Sequence, residues 1–220
     1  MVLGSSRSRS SAAHRRIVVK ALVWAASLTP AAVLGFDALA GRLGANPIEE
    51  ITHRTGWWAL FLLTLSLAIT PLRRLTRRGD LVRYRRLVGL FAFFYASLHL
   101  LTYLVLDQFF AWSFIFEDIV ERPFITLGVG AWLLLAALAA TSTRSAIRRL
   151  GRNWQRLHRL VYVAALAGGI HFFWKVKADT REPLVFLAVI ALLLVSRPVL
   201  TRWRSSVRSG QGASPSTRSA

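Results

Sequence analysis

Stretches of about 20 predominantly apolar residues recur along this chain with arginine clusters between them, and that is the length an α-helix needs to cross the hydrocarbon core of a bilayer. Six stand out: Ile17 to Leu39, Thr52 to Thr70, Leu87 to Leu106, Phe124 to Thr141, Leu157 to Val176 and Leu184 to Leu200. The expected fold class is therefore all-α, a six-helix transmembrane bundle. Residues 1–16 form a basic arm, 17–203 the membrane domain, and 204–220, rich in Ser, Gly and Arg, a tail expected to be disordered. Pro71 is expected to end the second span, since proline cannot continue the hydrogen-bond ladder, whereas Pro123 and Pro183 sit where a helix begins and a missing N–H costs little.

Charge then orients the bundle. The formal net charge is +19, which in a polar chain would suggest nucleic acid, but 54% of these residues are apolar and the basic ones cluster between the apolar runs, so no nucleic-acid partner is expected. Arg7 to Arg16, Arg73 to Arg86, Arg144 to Arg159 and Arg197 to Arg218 all fall on one side if every span crosses once. The other side carries Glu49, Glu50, Asp107, Glu117, Asp118, Glu121, Asp179 and Glu182. The positive-inside rule puts the arginine side and both termini in the cytoplasm. Trp112, Trp132, Trp174 and Trp203 are expected in the interfacial aromatic belts, with Trp57 and Trp58 in belt or core. His14-Arg15-Arg16 before an apolar run loosely imitates a twin-arginine leader, but the run is long enough to read as an uncleaved span in contact with membrane lipid.

The absence of cysteine removes disulfides, thiolate-held iron–sulfur clusters and cysteine nucleophiles, so any redox chemistry belongs to a bound cofactor. Ionisable groups inside a bilayer are costly and point to function. His99 lies 13 residues past Arg86 and His171 lies 12 past Arg159, which at the helical rise puts them about 20 Å and 18 Å from the arginine side. Either histidine alone is as well explained by a core hydrogen bond or a proton relay. As a pair at matched depth on helices running the same way, they suit axial ligation of one haem iron. Gly168, one turn before His171, leaves room for a porphyrin or, with Gly169, for a close helix contact.

His158, 13 residues before His171, is turned about 140° from it around an ideal helix. Its counterpart on the third span is Arg86, which cannot ligate iron, so a second bis-histidine haem is unsupported. An inner site of Arg83, Arg85, Arg86, Arg152, Trp154, Arg156 and His158 suits an anionic, aromatic ligand such as a flavin phosphate, or is simply a basic cytoplasmic loop with an interfacial histidine. His53 opens the second span, as a partner for a haem propionate, a ligand of a further outer cofactor or a helix cap.

Three segments carry a resemblance. They are Pro47-Ile48-Glu49-Glu50-Ile51-Thr52-His53-Arg54-Thr55-Gly56-Trp57-Trp58, then Arg85-Arg86-Leu87 through Tyr95-Ala96-Ser97-Leu98-His99, and Asn153-Trp154-Gln155-Arg156-Leu157-His158 through His171-Phe172-Phe173-Trp174. Together they resemble the MsrQ (YedZ) family, a branch of the ferric-reductase-like transmembrane cytochromes. The resemblance implies six spans in a bacterial inner membrane, b-type haem and an FMN. It further implies electrons drawn from the quinone pool or a cytosolic flavin reductase and passed to a periplasmic molybdenum-cofactor (MsrP-like) subunit that reduces methionine sulfoxide in oxidised proteins. His99, His158 and His171 match the family's haem-associated histidines; relatives with two haems carry a second histidine on the third span, where this chain has Arg86.

No carboxylate pair, nucleophile–base set or hydrolase metal spacing appears, so an electron-transfer subunit without a substrate site of its own is expected. The alternatives are a stand-alone ferric reductase-type cytochrome, a proton-coupled transporter or a structural membrane adaptor. The acidic outer loops, with Glu49, Glu50, Glu117, Asp118 and Glu121, are expected to meet a positively charged partner.

Overall fold

Each apolar run becomes a helix because its backbone can satisfy its polar groups within the segment. The structure, a computed structural model, describes residues 5–77 and 79–211, and side chains at 14–77 and 79–196. The basic arm and the C-terminal tail lie largely outside the described side chains, and residues 212–220 outside the described residues altogether. The long helices are α1 (Ser5–Leu39), α2 (Pro47–Thr76), α3 (Val82–Leu101), continued by a π-helical segment at Thr102–Asp107, then α5 (Pro123–Ala140), α8 (Val161–Lys175) and α9 (Arg181–Gln211). Short helices fill the connections: α4 (Trp112–Glu121) between α3 and α5, and α6 (Arg144–Leu150) and α7 (Arg152–Leu157) between α5 and α8. Among the described residues no strand occurs, and four helical stretches are long and apolar enough to cross a membrane: His14–Leu39, Pro47–Thr76, Gly79–Asp107 and Pro123–Ala140.

α2 is the centre of the bundle, packed against α3 along its length and against α8 and α9 on its other side, while α5 pairs with α8. Leu60, Leu63 and Leu67 of α2, Phe91 and Tyr95 of α3, Leu135 of α5, Ala164 and Ala165 of α8 and Ile190 of α9 form one buried core. α1 stands at the margin, exposing Leu22, Val33 and Phe36, side chains suited to lipid rather than water. It is tied to α3 where Tyr95, fully buried, donates its hydroxyl to the Ser27 carbonyl at 2.7 Å and accepts the Ala31 N–H at 3.0 Å. Ser27 and Ala31 are a donor–acceptor pair of the helix ladder, next to Pro30, so a side chain enters the ladder where proline already weakens it.

Several expectations change here. α2 does not stop at Pro71: it starts at Pro47, capped by Asn46, carries the proline inside and ends at Thr76, before Arg77 in the left-handed conformation at φ 57°. A buried proline is tolerated in such a helix because its neighbours re-satisfy the freed backbone groups. Trp132 is not at a helix end; it lies mid-way along α5, its indole N–H donating to Ser97 Oγ at 3.1 Å. Trp58 packs against the core, 6.4 Å from Tyr95, while Trp57 is half-buried and stacked on Phe61 with ring centres 5.1 Å apart.

The acidic connections are also rearranged. Asp118 is buried, accepting hydrogen bonds from the Tyr103 hydroxyl at 2.9 Å and Gln108 at 3.4 Å and pairing with Arg122 at 3.1 Å. It fastens α4 to the π-helical segment across a turn where Phe109 and Phe110 both adopt positive φ, at 48° and 58°, and is not free for a partner. Glu50 likewise bonds Arg54 at 2.5 Å, and Arg54 also reaches Asp37 at 2.7 Å, joining α1 to α2. Glu117 and Glu121 are the acids α4 leaves exposed.

Candidate metal centre

His99 of α3 and His171 of α8 face each other with ring centres 6.0 Å apart and planes at 81°. Each is held by the same contact. His99 Nδ1–H donates to the Thr52 carbonyl of α2 at 2.9 Å, and His171 Nδ1–H donates to the Phe124 carbonyl of α5 at 2.7 Å. A carbonyl can only accept, so these bonds place the proton on Nδ1 and leave Nε2 with a lone pair, the tautomer a metal needs. Metal–imidazole bonds of about 2 Å, with about 1.1 Å more from each nitrogen to its ring centre, put two rings on one ion roughly 6 Å apart. The observed separation fits that value. Among the described residues no group of three or more His, Cys, Asp or Glu could hold an ion, so two imidazoles from the chain and a planar equatorial ligand fit the donor set.

The second expected site is assembled only in part. Trp154 of α7 and His158 stack with ring centres 4.0 Å apart. Both are anchored at the end of α5, the indole N–H donating to the Thr141 carbonyl at 3.0 Å and His158 Nε2 lying 3.3 Å from Thr141 Oγ1. Arg85 is half-buried, while Arg86 and Arg156 are exposed. His53 is exposed on the second turn of α2, its ring 5.8 Å from Phe172, the neighbour of His171; it is not the helix cap, because Asn46 has that role.

Gly168 faces Leu60, where an added Cβ would sit 3.5 Å away, and Gly169 lies against Leu187, where it would sit 2.6 Å away. Those glycines serve helix contacts. The ones against the imidazoles, to which spacing along the chain assigned no role, are Gly56 and Gly128: an added Cβ would lie 3.0 Å from His99 Nδ1 and 2.8 Å from His171 Nδ1. A repeat could have revealed them, since each histidine lies 47 residues after its carbonyl acceptor.

The chain as a whole is similar to known proteins. A family model described as ferric reductase like transmembrane component matches residues 55–169. A protein of Xanthomonas oryzae pv. oryzae (strain MAFF 311018) is 52% identical over 184 residues, covering 81% of this chain and 84% of the relative. One of Xanthomonas campestris pv. campestris (strain 8004) is 53% identical over the same shares, and one of Herminiimonas arsenicoxydans 47% identical over 190 residues, 85% of this chain and 87% of its own. All three are named protein-methionine-sulfoxide reductase heme-binding subunit MsrQ. No solved structure matches the chain.

Proposed function

This chain belongs to the MsrQ family of ferric-reductase-like transmembrane haem-binding subunits, and from that premise we propose that it carries electrons across a bacterial inner membrane to a periplasmic molybdenum-cofactor subunit that reduces methionine sulfoxide in oxidised proteins. Its donor is the quinone pool or a cytosolic flavin protein on the arginine-rich side. The observation that carries this reading is the facing pair His99 and His171, each with Nδ1 committed to a backbone carbonyl and Nε2 left for a metal. We assign them as axial ligands of a b-type haem, which when bound supplies one-electron redox chemistry. The Thr52 and Phe124 carbonyls hold both rings in the neutral ligating tautomer and raise the basicity of Nε2. The packing of α2, α3, α5 and α8 fixes the ring positions.

α8 and α9 complete six spans, with α8 prolonged toward the arginine side by the turn His158–Leu160 and α7, and positive-inside reasoning puts both termini in the cytoplasm. An FMN on that side rests on charge alone. Arginines suit its phosphate, whereas the Trp154 and His158 rings are stacked on each other and anchored to Thr141.

A visible absorption spectrum of the purified full chain tests the reading: a Soret band with an alpha band that sharpens on reduction is expected. A colourless protein would instead favour a proton-coupled transporter or an adaptor. The partner surface has its own test. Since Asp118 and Glu50 are engaged internally, Glu117 and Glu121 are the acids of choice. Glu117→Gln with Glu121→Gln should slow haem reoxidation by the periplasmic partner roughly tenfold at low salt and flatten its ionic-strength dependence, through loss of electrostatic steering. Haem reduction from the cytoplasmic side should not change; a loss there with reoxidation intact would invert the proposed topology or direction.

A further inference from the structure

The two imidazoles sit in two copies of one device. Thr52, Gly56 and His99 are matched by Phe124, Gly128 and His171, each of the second set 72 residues after its counterpart (171 − 99 = 124 − 52 = 128 − 56 = 72). In both copies the acceptor carbonyl lies one helical turn before a glycine, and the histidine comes from the next long helix to run the opposite way. Helical side chains tilt toward the N-terminus, so a Cβ on the residue four positions after a carbonyl leans over that carbonyl. An imidazole that donates to the carbonyl must occupy the same space. An added Cβ at Gly56 would lie 3.0 Å from both Nδ1 and Cε1 of His99, and at Gly128 2.8 Å and 2.9 Å from Nδ1 and Cε1 of His171. Neither glycine is needed for backbone conformation, since neither has positive φ, and glycine inside a helix is otherwise unfavourable.

We infer that Gly56 and Gly128 are positioning residues, one in each half of an internally duplicated ligand clamp, whose missing side chains let each imidazole reach its carbonyl and so set ring orientation and Nε2 basicity at the metal. The inference rests on the reading of His99 and His171 as haem ligands.

Electron paramagnetic resonance and midpoint potential of the haem-loaded full chain test it, in wild type, Gly56→Ala, Gly128→Ala and Gly130→Ala. Gly130 lies on the same helix as Gly128 with nothing within 4 Å of an added Cβ, so its variant should match wild type in both readouts. Gly128→Ala, the tighter contact, should lose low-spin signal to a high-spin species. Gly56→Ala should stay low-spin with displaced g-values and a midpoint shifted beyond that of Gly130→Ala. Wild-type g-values and midpoint in both Gly56→Ala and Gly128→Ala would overturn the proposal. Should Gly128→Ala fail to accumulate in the membrane, Gly56→Ala decides by the same criterion. A wild-type chain that takes up no haem would bring down the ligand assignment itself and this proposal with it, an outcome distinct from haem-loaded variants that are indifferent to the glycines.

Discussion

Replacing either His99 or His171 with alanine will abolish the low-spin haem spectrum while the chain still inserts. On the proposed assignment each supplies one of two axial nitrogens from a facing pair of rings. Removing one leaves at most a five-coordinate, high-spin iron, so the expected effect is complete loss of the six-coordinate signal rather than a graded decline. Folding should withstand the change. The imidazole ties α3 to α2, or α8 to α5, through one hydrogen bond worth about 1 kcal/mol, small beside the core formed by Leu60, Leu67, Phe91 and Tyr95. His158→Ala is the control: its ring is engaged with Trp154 and Thr141 and not with the facing pair, so that spectrum should survive. An intact low-spin spectrum in either His99→Ala or His171→Ala would dismiss the pairing, and its loss in His158→Ala would mean that the two sites are not separate.

A second large effect is expected in stability, at Tyr95. Its hydroxyl accepts from Ala31 N–H and donates to the Ser27 carbonyl beside Pro30. α1 is held besides by Val23 and Ala31 packed on the core, buried Leu34, Trp24 edge-on to Phe91 at 4.9 Å, and Asp37 bonding Arg54 at 2.7 Å near its far end. Tyr95→Phe keeps the ring but removes both hydrogen bonds at a fully buried position. Two bonds at the usual net worth amount to about 1–3 kcal/mol. The expected result is a lower apparent melting temperature in detergent, with α1 becoming the first segment cut in limited proteolysis. If melting and cleavage match wild type, the Ala31 and Ser27 groups satisfy each other without the tyrosine, and the hydroxyl is dispensable.

What the amino-acid sequence determined alone is what depends on distance along one helix. The apolar runs marked the long helices because length and hydropathy are properties of a single segment, and the spacing of His99 and His171 from their arginine clusters set matched heights because the helical rise is constant. The pairing of the two rings at 6.0 Å, and everything that surrounds them, was decided only in three dimensions. Gly168 offered room beside a porphyrin or, with Gly169, a close helix contact; it faces Leu60, and the glycines against the two imidazoles are Gly56 and Gly128 on other helices. Asp118 read as a surface charge, yet it is buried under Tyr103, Gln108 and Arg122. Trp132 read as a belt residue and Pro71 as a terminator, yet one bonds Ser97 in mid-helix and the other is buried inside α2. In each case the outcome turns on which face of a helix meets which neighbour. That is a matter of rotation and pairing settled by packing across the whole bundle, and no single segment encodes it.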